Sequence, residues 1–323
     1  MTDRNGKSKA VFPCDSVPPR PEELSHASVG VEAFHQYRPL LISIAYRMLG
    51  SVADAEDIVQ DAFIRWHEAR RMDLRSPKAF LITIVSRLCI DHLKSARVRR
   101  EEYVGPWLPE PFLTGTQDSL DSVTAAGESL SIAFLLMLER LNPMERAVFL
   151  LREIFDISYA ELSGIVNLTE PACRQTLRRA KQHIANNRHR FSTSPQERNR
   201  LLREFMEAAA HGDLDRLLTL LHRDVELYAD GGGKASALPK PIHGVDSVAR
   251  FILRAPRKLL PRDLVRQQIE VNGQAAIISY LDGKPHSVFT TEIEDGKISN
   301  IYIISNPDKL SRMPDLPLTV PSS

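Results

Sequence analysis

The chain has 323 residues, of which 43% are hydrophobic and 26% are charged, so its composition is that of an ordinary globular protein and argues against wholesale disorder. Lys and Arg number 42 against 41 Asp and Glu, and the resulting charge of +1 indicates no partner by itself. The longest stretch without these four residue types, Val271 to Leu281, is shorter than the roughly 18 residues of a membrane-spanning helix. We therefore expect no membrane contact and a cytoplasmic location, and the length predicts two or three domains.

The N-terminal third begins with a polar, Pro-rich stretch and continues as a helical unit. Residues 1–29 are expected to form a disordered lead-in, and residues 30–104 a domain of three helices. Hydrophobic residues recur at helical spacing up to Gly50, and a second helix opens near Asp54 with acidic residues in its first turn, where the helix dipole favours them. A third helix is predicted from about Ser76, because a proline follows at a tolerated first-turn position.

A proline-rich segment separates this unit from a second helical one. Gly105 to Pro111 reads Gly-Pro-Trp-Leu-Pro-Glu-Pro, and its three prolines exclude a helix or a central strand. Residues 105–124 are therefore predicted to form a linker. A second helical domain is predicted over residues 125–190, with breaks between helices at Asn142-Pro143, at Asp156-Ile157-Ser158 and at Asn167-Leu168.

The second helical domain contains a helix-turn-helix pattern. Its two short helices, Tyr159–Val166 and about Glu170–Ile184, are separated by a tight connection. The second helix is apolar on one face, and a cationic stripe lies about 100° away from that face. The apolar face comprises Cys173, Leu177, Ala180 and Ile184, and the stripe comprises Arg174, Arg178 and Lys181. Phosphate contacts need such point charges, so the pattern favours DNA binding, with a solvated basic face on an ordinary helical hairpin as the alternative.

A second basic segment precedes the linker. Arg87 to Arg100 contains five Lys or Arg, with Asp91 as its one acid. Two basic helix ends joined by a Pro-rich tether are typical of a bipartite nucleic-acid-binding protein, although a merely solvated helix end would show the same composition. Cys89 and His92 make a lone CxxH with no second half, so neither a metal site nor a cofactor is predicted.

The last third changes from helical to β-like periodicity. Two amphipathic helices are predicted first, and four strands follow, separated by three Asn-Gly or Asp-Gly hairpin signals. The helices are Glu197–Ala210 and Asp213–Leu221; the strands are Leu264–Val271, Ala275–Leu281, Ser287–Ile293 and Ile298–Ile304; the turns are Asn272-Gly273, Asp282-Gly283 and Asp295-Gly296. Residues 196–310 are therefore predicted to form an antiparallel α+β domain, followed by a tail over residues 311–323.

Several of these segments together resemble a known family. The helix from Asp54 to Trp66, the segment from Ser86 to Lys94 and the helix-turn-helix look like the two domains of bacterial extracytoplasmic-function (ECF) sigma factors. Three further segments resemble the signature motifs of the subgroup with a fused SnoaL-like domain, and their order along the chain makes the resemblance specific. They are Trp107-Leu-Pro-Glu-Pro111, Asp230-Gly-Gly-Gly-Lys234 and Asn306-Pro-Asp-Lys-Leu310. The implied fold class is multidomain: two all-α sigma domains, regions 2 and 4, followed by a cone-shaped SnoaL-like α+β domain with an antiparallel sheet.

The resemblance also implies partners and site residues. The expected partners are core RNA polymerase, through its β and β′ subunits, promoter DNA, and the chain's own C-terminal domain, with the free protein a monomer. The polymerase contacts would be Asp54, Glu56, Asp57, Gln60, Asp61 and Trp66. The −10 element would be contacted by Arg87, Lys94, Arg97, Arg99 and Arg100, and the −35 element by Thr169, Glu170, Arg174, Arg178, Arg179 and Lys181. The interdomain regulatory residues would be Trp107, Pro109, Glu110, Asp230, Gly231, Gly232, Gly233, Lys234, Asn306, Pro307, Asp308 and Lys309.

Two departures from the family pattern and two alternative functions accompany this hypothesis. Phe80 stands where a Trp is usual, and Pro171 lies in the first turn of the recognition helix. The alternatives are a polymerase-independent DNA-binding regulator with a ligand-sensing pocket, and a DNA-binding module fused to an enzyme. For an enzyme the candidate groups would be Asp230, His243, His286 and Tyr280, which have no recognisable metal or triad spacing, so catalysis is not expected.

Overall fold

A computed structural model describes residues 21–69, 76–101, 103–114, 130–185, 193–258 and 263–316. Most of the predicted lead-in, most of the predicted linker and the last residues of the tail lie outside these ranges. The backbone of the third helix is described to its end, but the side chains of Arg97, Arg99 and Arg100 are outside the described part of the chain.

The first helical unit consists of α1 (Pro21–Leu49), α2 (Val52–Ala69) and α3 (Pro77–Glu101). The first helix begins at Pro21, inside the segment expected to be disordered, so that expectation is wrong from this residue onward. Gly50 ends α1 with a φ of 68°, a left-handed conformation that suits glycine, and Ser51 then caps α2 by accepting the Asp54 amide through its hydroxyl at 3.2 Å.

The second helical unit comprises α4 (Ile132–Leu138), α5 (Pro143–Phe149), a π-helical turn (Leu150–Ile154), α6 (Tyr159–Val166) and α7 (Glu170–Ala185). Asn142 and Ser158 start α5 and α6, each with a capping box in which a glutamate three residues on binds back to the cap. Asn167 closes α6 in the left-handed region, with a φ of 55°. The breaks predicted at Asn142 and Asn167 are thus confirmed.

One hydrophobic core runs through both helical units. Its buried side chains come from α1, α2 and α3 and continue without interruption into α5, α6 and α7. Arg146 of α5 is 3% exposed, and its guanidinium donates to the Met48 carbonyl at 2.7 Å and pairs with Glu139 at 2.7 Å. Burial lowers the pKa of Arg146 to about 10. The two units are therefore packed together as a closed body.

The C-terminal domain begins with α8 (Pro195–His211) and α9 (Leu214–Leu220), includes α10 (Val245–Lys258), and ends with α11 (Pro307–Leu310). Its six strands are β1 (Leu221–Asp230), β2 (Ile242–His243), β3 (Val265–Val271), β4 (Gln274–Leu281), β5 (Lys284–Glu294) and β6 (Lys297–Ile304), in the order β2-β1-β6-β5-β4-β3. The four predicted strands and both predicted helices are confirmed.

Three features of this domain differ from the prediction. The sheet is mixed and not wholly antiparallel, because β1 and β6 pair in parallel. The first strand starts at Leu221, where a helix was predicted to end, and α10 was not predicted. Side-chain pattern alone does not give strand direction, and β1 and β6 meet only after about 70 residues of intervening chain, so no local turn signal could reveal their pairing.

The two faces of the sheet are covered by different parts of the chain. One face packs against α8, α9 and α10 of the same domain. On the other face lie Leu108 of the linker, Ile132 and Ala133 of α4, and Leu310 of α11. The helical units and the C-terminal domain therefore share a hydrophobic core. No helix within the described ranges combines the length and the apolar character needed to cross a membrane.

Candidate functional site

The acidic face of α2 is the first candidate surface. Asp57, Gln60 and Asp61 are exposed, and Asp54 and Glu56 are half-exposed, so five of the six predicted contact residues can reach a partner. Trp66, the sixth, is 4% exposed and packs against Phe80 with ring centroids 6.1 Å apart, so in this closed arrangement it lies in the core and not on the acidic surface. Phe80, which stands where the family usually has a Trp, thus supplies an aromatic partner in the core.

A residue of the C-terminal segment covers part of this face. Arg312, just beyond α11, donates from Nε and Nη2 to one carboxylate oxygen of Glu56 at 3.1 and 2.8 Å. The same guanidinium lies 3.7 Å from Glu110 of the linker. Sequence reasoning missed Arg312, because a single exposed arginine after the last motif carries no signal of its partner.

The basic end of α3 is the second candidate surface, and its first residue faces the other helical unit. Arg87 donates from Nε to the Ile165 carbonyl at 3.0 Å and from Nη2 to the Gly164 carbonyl at 2.9 Å. These carbonyls lie in the last turn of α6, where unsatisfied acceptors and the negative end of the helix dipole favour a cation. Lys94 is exposed and pairs with Asp91 at 2.9 Å.

The recognition helix α7 has the two faces that the sequence predicts. Its predicted core residues, Cys173, Leu177, Ala180 and Ile184, are all buried. Thr169, Arg174, Arg178, Arg179 and Lys181 are exposed and Glu170 is half-exposed. Arg174 pairs with Glu170 at 2.9 Å and lies over the Tyr159 ring, and Lys181 pairs with Glu153 at 2.6 Å.

Two arginines on α7 are available for an external anion. Arg178 and Arg179 have no ion-pair partner within the described part of the chain. Pro171 occupies the first turn of α7, where the missing N–H costs no intrahelical hydrogen bond, and the helix continues regularly to Ala185. The departure at Pro171 therefore leaves the basic face of the helix in place.

The three linker and tail motifs converge on one carboxylate. Asp230 is 0% exposed, and one of its oxygens accepts from the Tyr103 hydroxyl at 2.6 Å and from the Gly232 amide at 3.0 Å. Its other oxygen accepts from the Leu108 amide at 2.8 Å and from the Lys309 ammonium at 2.6 Å. This set of contacts, called the Asp230 junction below, joins the linker to β1 and α11.

Aromatic rings and a glycine complete the Asp230 junction. The Lys309 ammonium lies 4.5 Å from the centre of the Trp107 ring and 5.0 Å from that of Tyr103, as in a cation–π cage. Gly232, with a φ of 57°, leaves no room for a Cβ beside the Asn306 amide, which in turn donates to the Tyr103 hydroxyl at 2.9 Å. Burial, and then the hydrogen bond to Asp230, raise the pKa of Tyr103 above its ordinary value.

The remaining predicted regulatory residues lie around this junction. Lys234 pairs with Asp308 at 2.5 Å, and Pro307 opens α11 after the Asn306 cap. Trp107 covers Gly50, where an added Cβ would stand 2.8 Å from the ring. Pro109 also lies against Gly50. The three motifs are thus one structural unit.

Glu110 connects the linker to the start of α2. One carboxylate oxygen accepts from the amides of Val52 at 2.8 Å and Ala53 at 3.2 Å, which are the orphan donors of the helix N-terminus. Burial raises the pKa of Glu110 above its ordinary value, although these hydrogen bonds oppose the shift. The motif glutamate therefore supports the helix that carries the acidic face.

A second junction was not predicted as a site. Asn272, in the β3–β4 turn, is 0% exposed, and its side-chain oxygen accepts from the Phe112 amide at 3.0 Å. Its side-chain nitrogen donates to the Tyr46 hydroxyl at 2.6 Å and to the Leu130 carbonyl at 2.8 Å. We call these contacts the Asn272 junction. The sequence marked Asn272 only as a hairpin turn, because its partners lie far away along the chain.

Asp230 and His243, two of the groups considered for catalysis, lie far apart. Along β1, Asp230 lies four residues beyond Glu226, which is the position opposite His243, so the two are separated by about 13 Å of strand. The Asp230 carboxylate is paired with the Lys309 ammonium, and Tyr280 is 1% exposed inside an apolar cluster. Among the described residues, no group of three or more His, Cys, Asp or Glu side chains is placed to hold a metal ion.

Comparison with known proteins agrees with this geometry. Residues 33–99 match the family model Sigma-70 region 2, and residues 131–184 match Sigma-70, region 4. The chain is 38% identical over 297 residues to the ECF RNA polymerase sigma factor SigJ of Mycobacterium tuberculosis, covering 88% of this chain and 94% of SigJ. It is 35% identical over 280 residues to the probable ECF sigma factor SigI of the same species, covering 86% of this chain and 93% of SigI.

The crystal structure of SigJ gives the same architecture. It superposes with a TM-score of 0.71 at 35% identity and covers 87% of this chain and 98% of the SigJ chain. The predicted order of two helical sigma domains and a SnoaL-like α+β domain is confirmed, apart from the parallel β1–β6 pairing. These relatives support the sigma-factor hypothesis and not the polymerase-independent regulator. The chain belongs to the ECF family of RNA polymerase sigma factors.

Proposed function

We propose that this sigma factor is held in a closed, weakly active state by its own C-terminal domain. It directs core RNA polymerase to promoters when that domain moves away from the polymerase-binding surface. The acidic face of α2 binds the β and β′ subunits of the polymerase, since an exposed acidic helix suits a basic partner surface. The free protein is a monomer in the cytoplasm and performs no catalysis of its own.

The promoter contacts divide between the two helical units. The −10 element is contacted by Arg87, Lys94, Arg97, Arg99 and Arg100, and the −35 element by Thr169, Glu170, Arg174, Arg178, Arg179 and Lys181. The exposed Arg178 and Arg179 support the second assignment, because a phosphate or a guanine edge can take a guanidinium that has no internal partner.

The observation that carries this proposal is the ion pair between Arg312 and Glu56. It places a residue of the C-terminal segment on the surface assigned to the polymerase, with side-chain exposures of 38% and 43%. Both partners are accessible to solvent, so the pair contributes little to stability and can be displaced by a competing surface.

The test compares two arginine variants of the full-length protein. Arg312→Ala is expected to raise affinity for core polymerase, measured by biolayer interferometry, by about two- to fivefold. Run-off transcription from the promoter upstream of the protein's own gene should rise in parallel. Arg254→Ala, on the exposed face of α10, is the matched control and should change neither quantity. Failure of both the wild type and Arg312→Ala to bind core polymerase would overturn the proposal.

A further inference from the structure

The turn that contains Asn272 touches both ends of the segment that connects the two sigma domains. Phe112 follows the first helical unit, and its amide donates to the Asn272 side chain at 3.0 Å. Leu130 precedes α4 of the second unit, and its carbonyl accepts from the same side chain at 2.8 Å. One amide group therefore lies between the start and the end of this connection.

Further backbone contacts fix the first of these ends. The Asn272 amide donates to the Phe112 carbonyl at 2.8 Å, and the Thr114 amide donates to the Glu270 carbonyl at 3.0 Å. Leu113 forms an antiparallel bridge with Val271, and the Gly273 amide donates to the Thr114 hydroxyl at 3.0 Å. The chain before the connection thus extends the edge of the sheet at β3. The Asn272 side chain then carries a hydrogen bond from this edge of the sheet to the Leu130 carbonyl.

Asparagine is the residue type that this position requires. Asn272 has a φ of 56°, in the left-handed region that asparagine, aspartate and glycine tolerate best. Its carboxamide uses both donor hydrogens, toward Tyr46 and Leu130, and one acceptor, toward Phe112. Aspartate would keep the backbone but lose both donors, and glycine would lose every side-chain contact without backbone strain.

We propose that Asn272 is a staple that opposes separation of the two sigma domains, by joining Tyr46 of α1, Phe112 of the linker and Leu130 before α4 through one side chain. While the contacts with Phe112 and Leu130 persist, the ends of the connecting segment stay within the width of one amide group. Released, the 16 peptide steps from Thr114 to Leu130 reach about 55 Å when extended. Because the same side-chain nitrogen also donates to the Tyr46 hydroxyl, α1 and Leu130 cannot move apart while both of these hydrogen bonds persist.

This staple differs from the Arg312 contact, which covers a surface without limiting the distance between the domains. It rests on the proposed function only for its effect on transcription. The shared apolar core keeps the free protein closed, so loss of the staple should show in local opening and in binding, and not in a separated resting state.

The staple is tested by hydrogen exchange on the full-length protein and on Asn272→Gly. Exchange of the Leu135 amide, which donates to the Ser131 carbonyl in the first turn of α4, should be at least about tenfold faster in the variant, because Leu130 before that turn loses its hydrogen bond to Asn272. The Ile301 amide in the buried strand β6 should exchange as in the wild type, which shows that the domain remains folded. Affinity for core polymerase should rise by a similar factor.

Asp295→Gly is the matched control. Asp295 opens another hairpin of the same sheet with a φ of 50°, and it is exposed, so the substitution makes the same backbone change without removing a contact between domains. Asn272→Asp, which preserves the shape of the side chain, should reproduce most of the effect of Asn272→Gly.

Two results would overturn the staple. One is unchanged Leu135 exchange in Asn272→Gly, and the other is equal acceleration in Asp295→Gly. Faster Leu135 exchange without any polymerase binding by either protein would instead support the staple and refute the proposed function, so the two failures are distinguishable.

Discussion

The Asp230 junction and the Asn272 junction both attach the linker to the C-terminal domain, but they use different chemistry. At the Asp230 junction a fully buried carboxylate is neutralised by an ammonium that is 12% exposed, whereas the Asn272 junction contains no charge. Breaking a buried ion pair on one side leaves an uncompensated charge, while an amide loses its hydrogen bonds one at a time. The first chemistry favours permanent attachment and the second favours release.

The largest expected effect is at the charged junction. Asp230→Ala leaves the Lys309 ammonium without its carboxylate and should lower the free energy of unfolding by about 3–5 kcal/mol, measured by urea denaturation. Asp224→Ala, which breaks a pair exposed by 84% and 70%, is the control and should cost about 0–1 kcal/mol. A cost for Asp230→Ala no larger than the control would remove the distinction between the junctions.

A conservative change at the neutral junction should have an intermediate effect. Tyr46→Phe removes a buried hydroxyl that accepts from Asn272 at 2.6 Å and donates to the Glu110 carbonyl at 2.7 Å, and should cost about 1–3 kcal/mol. The same measurement on Tyr37→Phe, a half-buried tyrosine of the same helix, should show almost no change. Equal costs for the two variants would mean that the Asn272 contacts contribute nothing.

Salt should weaken the exposed ion pair between Arg312 and Glu56 more than it weakens the buried Asp230 junction. Raising ionic strength from about 0.1 to 1 M shortens the screening length from about 10 to 3 Å, which weakens exposed pairs more than buried ones. The cost of Asp230→Ala should therefore stay nearly constant, while the difference in polymerase affinity between wild type and Arg312→Ala should shrink toward zero. A strong salt dependence at Asp230 would show that water reaches that carboxylate.

The smallest expected effect is a pH dependence at Glu110. Because burial raises its pKa in the folded protein, the folded state holds this proton more tightly than the unfolded state does. Its contribution to stability is therefore lost as pH rises from about the ordinary value of 4.5. Glu110→Gln should flatten the melting-temperature profile above about pH 4.5, whereas the exposed Glu32→Gln should not. A steeper profile in Glu110→Gln would contradict this sign.

The comparison between the junctions also explains what the sequence could predict. The three motifs of the Asp230 junction contain charged residues, tryptophan and consecutive glycines, so their resemblance to the family motifs identified them from the amino-acid sequence alone. Asn272 gave only a local signal, because Asn-Gly is expected at any hairpin. Its partners Tyr46 and Leu130 can be identified only once the C-terminal domain is packed against the helical units.

Within the helical units the breaks between helices and the buried face of α7 were predicted correctly, because helix caps and a 3.6-residue period are local properties. The breaks at Asn142 and Asn167 and the buried face of α7 followed from them. The burial of Trp66 was not foreseen, because a resemblance assigns a position to a surface without showing which way the side chain points. The parallel β1–β6 pairing and α10 required knowledge of the tertiary neighbours.

The contact between Arg87 and the end of α6 has a consequence for apparent promoter affinity. With Arg87 assigned to the −10 element, one guanidinium has two mutually exclusive acceptors, the Gly164 and Ile165 carbonyls or the DNA. The measured affinity for promoter DNA then equals the intrinsic affinity multiplied by the fraction of molecules in which Arg87 is not bound to the α6 carbonyls. By reciprocity, promoter DNA that binds Arg87 would shift that fraction by the same factor and so would favour the state in which Arg87 has left α6.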